Sequence, residues 1–107
     1  MVGSLAVLSL EYVAEPSVVV DAVVRVAKKI GWNIVSRTEG RIVVRVGLSI
    51  RSWGEEITIQ VAPRKVGGSR VKAESKIRIG WWDWGKNDAN LARFSQMLDA
   101  QVARVRH

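Results

Sequence analysis

The chain reads as an α+β domain: a five-stranded antiparallel sheet with two helices, in the order β-α-β-β-β-β-α. Three observations predict this. Three consecutive stretches, Arg41 to Arg51, Glu56 to Ala62 and Arg70 to Ile79, alternate apolar and polar residues and are joined by short turns. Two other stretches, Ser17 to Ile30 and Leu91 to Val105, space their apolar residues at the helical period. The 107 residues contain no linker, repeat or low-complexity tract, so residues 1–107 form a single domain.

Ser4 to Val13 is apolar and β-branched, as a strand requires, and Ala14-Glu15-Pro16 ends it. Pro16 suits the first turn of a helix. Val19, Val20, Val23, Val24, Ala27 and Ile30 then form an apolar stripe, Lys28 and Lys29 suit the last turn, and Gly31 is a natural stop. Trp32 to Arg37 reads as a strand and Thr38-Glu39-Gly40 as a turn. Along Arg41 to Arg51, residues Ile42, Val44, Val46, Leu48 and Ile50 share one face, while Arg41, Arg45, Ser49 and Arg51 share the other. Val43 breaks the pattern. After a turn at Ser52-Trp53-Gly54, Ile57, Ile59 and Val61 point inward and Glu56, Thr58 and Gln60 outward. Pro63 to Gly68 is a basic, glycine-rich loop. Val71, Ala73, Ser75, Ile77 and Ile79 then point inward, and Arg70, Lys72, Glu74, Lys76 and Arg78 outward. These three strands make a meander with one buried face. Asn87 or Asp88 can cap the last helix, whose stripe is Leu91, Phe94, Leu98, Val102 and Val105. The position of the first strand, beside the last or at an edge, stays open at this level.

This order of elements resembles the TATA-binding-protein-like and helix-grip folds, in which a curved sheet holds a long C-terminal helix. The resemblance covers the whole chain and rests on topology, with no diagnostic motif of either family. The segments Ser52-Trp53-Gly54-Glu55 and Asp83-Trp84-Gly85-Lys86-Asn87 are similar to those of small uncharacterised prokaryotic proteins, which implies no activity.

Composition narrows the function classes. Seventeen Lys and Arg against ten Asp and Glu give a net charge of +7, a balance that favours polyanions. With no cysteine there is no disulfide, thiolate nucleophile or cysteine-held metal, which fits a reducing compartment. The apolar start, Met1 to Leu10, lacks a positive leader region and is too short to span a bilayer, and no apolar run is longer. A cytoplasmic protein without a transmembrane segment is expected. The scarcity of Asn and Gln, the absence of Cys and the wealth of Val and Arg lean toward a thermophilic source.

Catalysis has little to draw on. The one histidine, His107, is the last residue, where order is least secure. Without it a serine nucleophile lacks a base. Glu55 and Glu56 are adjacent carboxylates but point to opposite faces of a strand. No His/Asp/Glu group has metal-ligand spacing. No catalytic residue, metal or cofactor is assigned. Gly80 to Asn87 spells G-x-x-x-x-G-K-N, one residue short of a phosphate-binding loop. Asn87 stands where a Ser or Thr hydroxyl must bind Mg²⁺, and the antiparallel surroundings differ from the parallel unit such loops occupy. Lys86 and the amides at the helix start could still hold an anion.

Two regions remain as candidate sites. Three of the five tryptophans fall within four residues. They either seal the end of the core or, as Trp53, Trp81, Trp82 and Trp84 with Asp83 and Lys86, rim a pocket for an apolar or anionic small ligand. The outward cations Arg41, Arg45, Arg51, Arg70, Lys72, Lys76 and Arg78 either form a solvated face, paired with Glu56 and Glu74, or a surface for nucleic acid. That face lacks the interleaved aromatic residues that stack single-stranded bases, and only the tryptophans at its ends could serve. The leading expectation is a non-enzymatic binding module with a small ligand near the tryptophans. The alternatives are nucleic-acid binding through the basic sheet face and a protein-interaction or structural subunit, including a homodimer paired through an edge strand.

Overall fold

The computed structural model describes residues 5–46, 55–77 and 86–106. Its elements are β1 (Leu5–Tyr12), α1 (Pro16–Ile30), β2 (Asn33–Thr38), β3 (Arg41–Val46), β4 (Glu55–Pro63), β5 (Ser69–Ile77) and α2 (Lys86–Asp99). The sheet order is β1-β5-β4-β3-β2, and every neighbouring pair is antiparallel. The domain is therefore α+β with the expected order of elements. The first strand lies beside the last and forms one edge, and α1 carries the chain across to the other edge.

Strand alternation places the core. Leu10 and Tyr12 of β1, Ile42 and Val44 of β3, Ile57, Ile59 and Val61 of β4, and Val71 and Ala73 of β5 are buried on one face. Both helices lie on that face and touch each other. From α1 come Val19, Ala22, Val23, Val24, Val26 and Ala27, and from α2 come Leu91, Phe94 and Leu98. Trp32 is buried at the end of α1 and stacks on Phe94, with ring centroids 5.6 Å apart. Such a pair adds about 0.5–1.5 kcal/mol beyond its area.

α1 depends on this packing. Its six valines cost about 3–4 kcal/mol of helix propensity relative to alanine. Burying Val19, Val23, Val24 and Val26 returns about 6 kcal/mol at ~1.5 kcal/mol each, so packing wins. The helix begins at Pro16 without a side-chain cap and ends where Gly31 turns left-handed at φ 92°, with its N–H shared between the carbonyls of Ala27 and Lys28. A second left-handed glycine, Gly68, lets the β4–β5 hairpin approach β1: a Cβ there would collide with the Tyr12 carbonyl oxygen.

Several boundaries differ from expectation. Pro63 ends β4 rather than opening the loop, and the part of the strand expected beyond Val46, up to Arg51, lies outside the described residues. α2 starts at Lys86, so Asn87 and Asp88 lie in its first turn and do not cap it. It also stops at Asp99, which removes Val102 and Val105 from its stripe. The chain instead turns at Ala100 and Gln101 and runs beside β1, where the Val13 N–H donates to the Ala103 carbonyl at 3.0 Å and the Val105 N–H to the Glu11 carbonyl at 2.9 Å. The backbone groups of an edge strand need partners, and this short tail supplies them where a longer helix could not.

Tyr12 fastens the tail to the core. It is fully buried, and its hydroxyl donates to the Asp99 carboxylate at 2.7 Å, while Arg104 approaches the same carboxylate at 3.4 Å. Burial first, and then the bond to Asp99, hold its phenol far above the ordinary tyrosine value. Because the folded state keeps the proton, this contribution is complete below the unfolded pKa of about 10 and is lost as pH rises beyond it. Stability measured by urea between pH 9 and 12 should fall more steeply in the wild type than in Tyr12→Phe. Equal slopes would show that Tyr12 ionises as freely in the fold as outside it.

Candidate functional site

The face of the sheet opposite the helices is uncovered among the described residues. The strand registers arrange its side chains in rows that cross the sheet. One row runs Lys76, Glu56, Arg45, Asn33. The next runs Val7, Glu74, Thr58, Val43, Ser36, and the third Ser9, Lys72, Gln60, Arg41, Thr38. A short fourth row holds Glu11, Arg70 and Ala62.

These rows differ in charge. In the first, Glu56 stands opposite both Arg45 and Lys76, so a carboxylate sits between two cations. In the fourth, Glu11 accepts from Arg70 and also meets Arg64 of the hairpin, each at 3.3 Å. The third row contains two cations, three neutral hydrogen-bonding side chains and no carboxylate. It spans all five strands, about 19 Å at ~4.8 Å per spacing. Lys72 and Arg41 are both exposed there. Neither Glu56 nor Glu74 forms an ion pair among the described residues.

Five of the seven cations predicted for this face, Arg41, Arg45, Arg70, Lys72 and Lys76, therefore lie on it together. Arg51 and Arg78 fall outside the described residues. Arg45 is the least available of the five. It is half-buried, and its Nε has no hydrogen-bond partner. Against the five stand Glu11, Glu56 and Glu74, so the face is cationic without being uniformly so. The prediction erred on Glu74, whose cross-strand neighbours are Val7 and Thr58 rather than cations. Gln60 was already read as outward, but its place between Arg41 and Lys72, and the membership of Ser9 and Thr38 in this row, become visible only through register.

Of the residues predicted around a small-ligand pocket, Trp53, Trp81, Trp82, Asp83 and Trp84 lie outside the described residues. Lys86 is described only as the first residue of α2. An open hollow among the described residues lies elsewhere. It is a cleft of about 720 Å³ between the start of α1 and the β2–β3 turn, lined in part by Pro16, Val20, Asp21, Arg37, Glu39 and Val61. Arg37 and Asp21 approach each other at 3.4 Å within it, and both are largely exposed. The cleft lies at the end of β4 marked by Pro63, whereas the tryptophan-bearing connections leave from the end marked by Glu55.

One polar cluster is buried on the helix side. Glu55 is 5% exposed, and its carboxylate accepts from the Ser75 hydroxyl and, at 2.7 Å, from the Asn90 side-chain amide of α2. The sequence carried a signal for it: Glu55 is in phase with Ile57, Ile59 and Val61, and Ser75 with Val71 and Ala73. A carboxylate removed from water needs such donors, and here they tie α2 to β4 and β5. Among the described residues no three His, Cys, Asp or Glu side chains gather as a metal site requires, and no helix is long and apolar enough to cross a membrane.

No protein-family model matches this chain, and no curated protein resembles it closely enough to count as a relative.

Removing the Glu55 carboxylate leaves the buried Ser75 hydroxyl and the half-buried Asn90 amide unpaired. Glu55→Ala should lower stability by about 2–3 kcal/mol, and Ser75→Ala, which removes only one donor, by about 1 kcal/mol. Urea midpoints of the two variants measure this. A Glu55→Ala midpoint equal to that of the wild type would show that the cluster contributes nothing to holding α2.

Proposed function

We propose that this protein is a non-catalytic binding domain whose contact surface is the outer face of the sheet, and that its ligand is nucleic acid. One observation carries the reading: a row of side chains across all five strands offers Lys72 and Arg41 with Ser9, Gln60 and Thr38 and includes no carboxylate. Phosphates are held by cations supplemented with neutral donors, and this row supplies both. A net charge of +7 on 107 residues adds a long-range field of the right sign. The absence of cysteine and the single histidine in the sequence favour binding over catalysis.

The affinity belongs to the class set by charge. For sequence-independent contacts it is about 10⁻⁴–10⁻⁶ M at physiological salt, tightening steeply as salt falls. Lys72→Glu/Arg41→Glu reverses both cations of the row. Both side chains are exposed, so the urea midpoint should hold while the affinity for mixed oligonucleotides at about 50 mM salt drops at least ~10-fold. Fluorescence anisotropy with labelled duplex and single-stranded oligonucleotides measures it. Undiminished binding by the double variant, or a wild type that binds neither oligonucleotide at low salt, contradicts the reading.

A further inference from the structure

The cations of the outer face form two lines with a gap between them. Arg70, Lys72 and Lys76 lie along β5, and Arg41 and Arg45 along β3. Between them β4 presents Glu56, Thr58 and Gln60, with no cation. The two lines are two interstrand spacings apart, about 10 Å at the backbone. Long Lys and Arg side chains can widen that separation at their tips.

A single strand would be served poorly by this pattern. It carries one line of phosphates, and surfaces that hold it stack its bases on aromatic rings. The described outer face has no aromatic side chain: Tyr12, Trp32 and Phe94 are all in the core on the other side. Two phosphate lines flanking a groove fit better. Phosphates would meet β5 and β3, while Glu56, which repels them, would stand over the gap.

The spacing selects among duplexes. The major groove of B-form DNA is about 12 Å wide, close to the separation of the two lines once the side chains spread. A-form RNA offers a deep, narrow major groove and a wide, shallow minor one, and neither matches. That B-form groove is also about 8.5 Å deep. Thr58 and Gln60, on a sheet resting across its mouth, stop short of the base edges.

Resting on the nucleic-acid reading above, we infer that the sheet lies across the major groove of double-stranded DNA. The β5 and β3 cations hold the two phosphate backbones, without discrimination of sequence. Glu56 at one end of β4 moves the centre of contact toward the other, onto Arg70, Lys72 and Arg41.

The test is anisotropy with the full chain and four labelled probes: two 20-base-pair DNA duplexes of unrelated sequence, one of their single strands, and the matching RNA duplex. The two DNA duplexes should agree within about twofold, and each should bind at least ~10-fold tighter than the single strand or the RNA duplex. With three phosphates contacted, log K should fall with log salt at a slope near −2.7, and Arg41→Gln and Lys72→Gln should each reduce the slope by about 0.9. Single-stranded DNA or duplex RNA bound as tightly as duplex DNA overturns the inference while the nucleic-acid reading stands. So does a slope that moves with only one of the two variants. Binding to none of the four probes overturns both. Binding of anionic phosphatidylserine vesicles in place of the probes does the same.

Discussion

Burial of one sheet face beneath α1 and α2 governs the chemistry of both faces. Side chains on a strand alternate, so once Ile42, Val44, Ile57, Ile59, Val61, Val71 and Ala73 are committed to the helices, their neighbours are committed to water. A slip of one residue in any register would place Lys72 or Gln60 under a helix and a valine or isoleucine outside. The cost is that of burying an unpaired polar group, a few kcal/mol for a neutral one and more for a charge. The arrangement of cations on the outer face follows from the arrangement of aliphatic side chains on the inner one.

The same logic accounts for the few polar groups on the helix side. Tyr12 and Glu55 are both buried, and each is matched: the Tyr12 hydroxyl by Asp99 at the end of α2, and the Glu55 carboxylate by Ser75 and by Asn90 near the start of α2. These two contacts lie at opposite ends of the helix and of the sheet. Apolar packing of Leu91, Phe94 and Leu98 between them supplies the adhesion. The polar pairs define where along the sheet the helix rests. The tail beyond Asp99 then closes part of the β1 edge.

The phase of β3, β4 and β5 was legible in the sequence because alternation is a local property, and so were α1, its start at Pro16 and its stop at Gly31. What could not be read depended on pairing. The chain after Asp99 carries Val102 and Val105 at helical spacing. Its departure from the helix is decided by the unpaired backbone of β1, which lies far away in sequence. The bulge between Ile34 and Ser36 of β2 has no glycine or proline to announce it. The five cations were legible as outward residues. Which of them stand beside a carboxylate was not, since Glu56 between Arg45 and Lys76, and Gln60 between Arg41 and Lys72, are facts of register. The tryptophan-centred site, Trp53 and Trp81 to Trp84, falls outside the described residues and stays an expectation.

The central claim is that the sheet face left open among the described residues is the contact surface. Amide chemical shifts recorded with and without duplex DNA test it most directly, because each residue reports separately. The account predicts that the perturbed amides fall on β3, β4 and β5 and centre on Arg41, Gln60, Arg70 and Lys72, with α1 and the middle of α2 unmoved. Perturbations gathered instead on the helices, or on the cleft between Pro16 and Glu39, would contradict it.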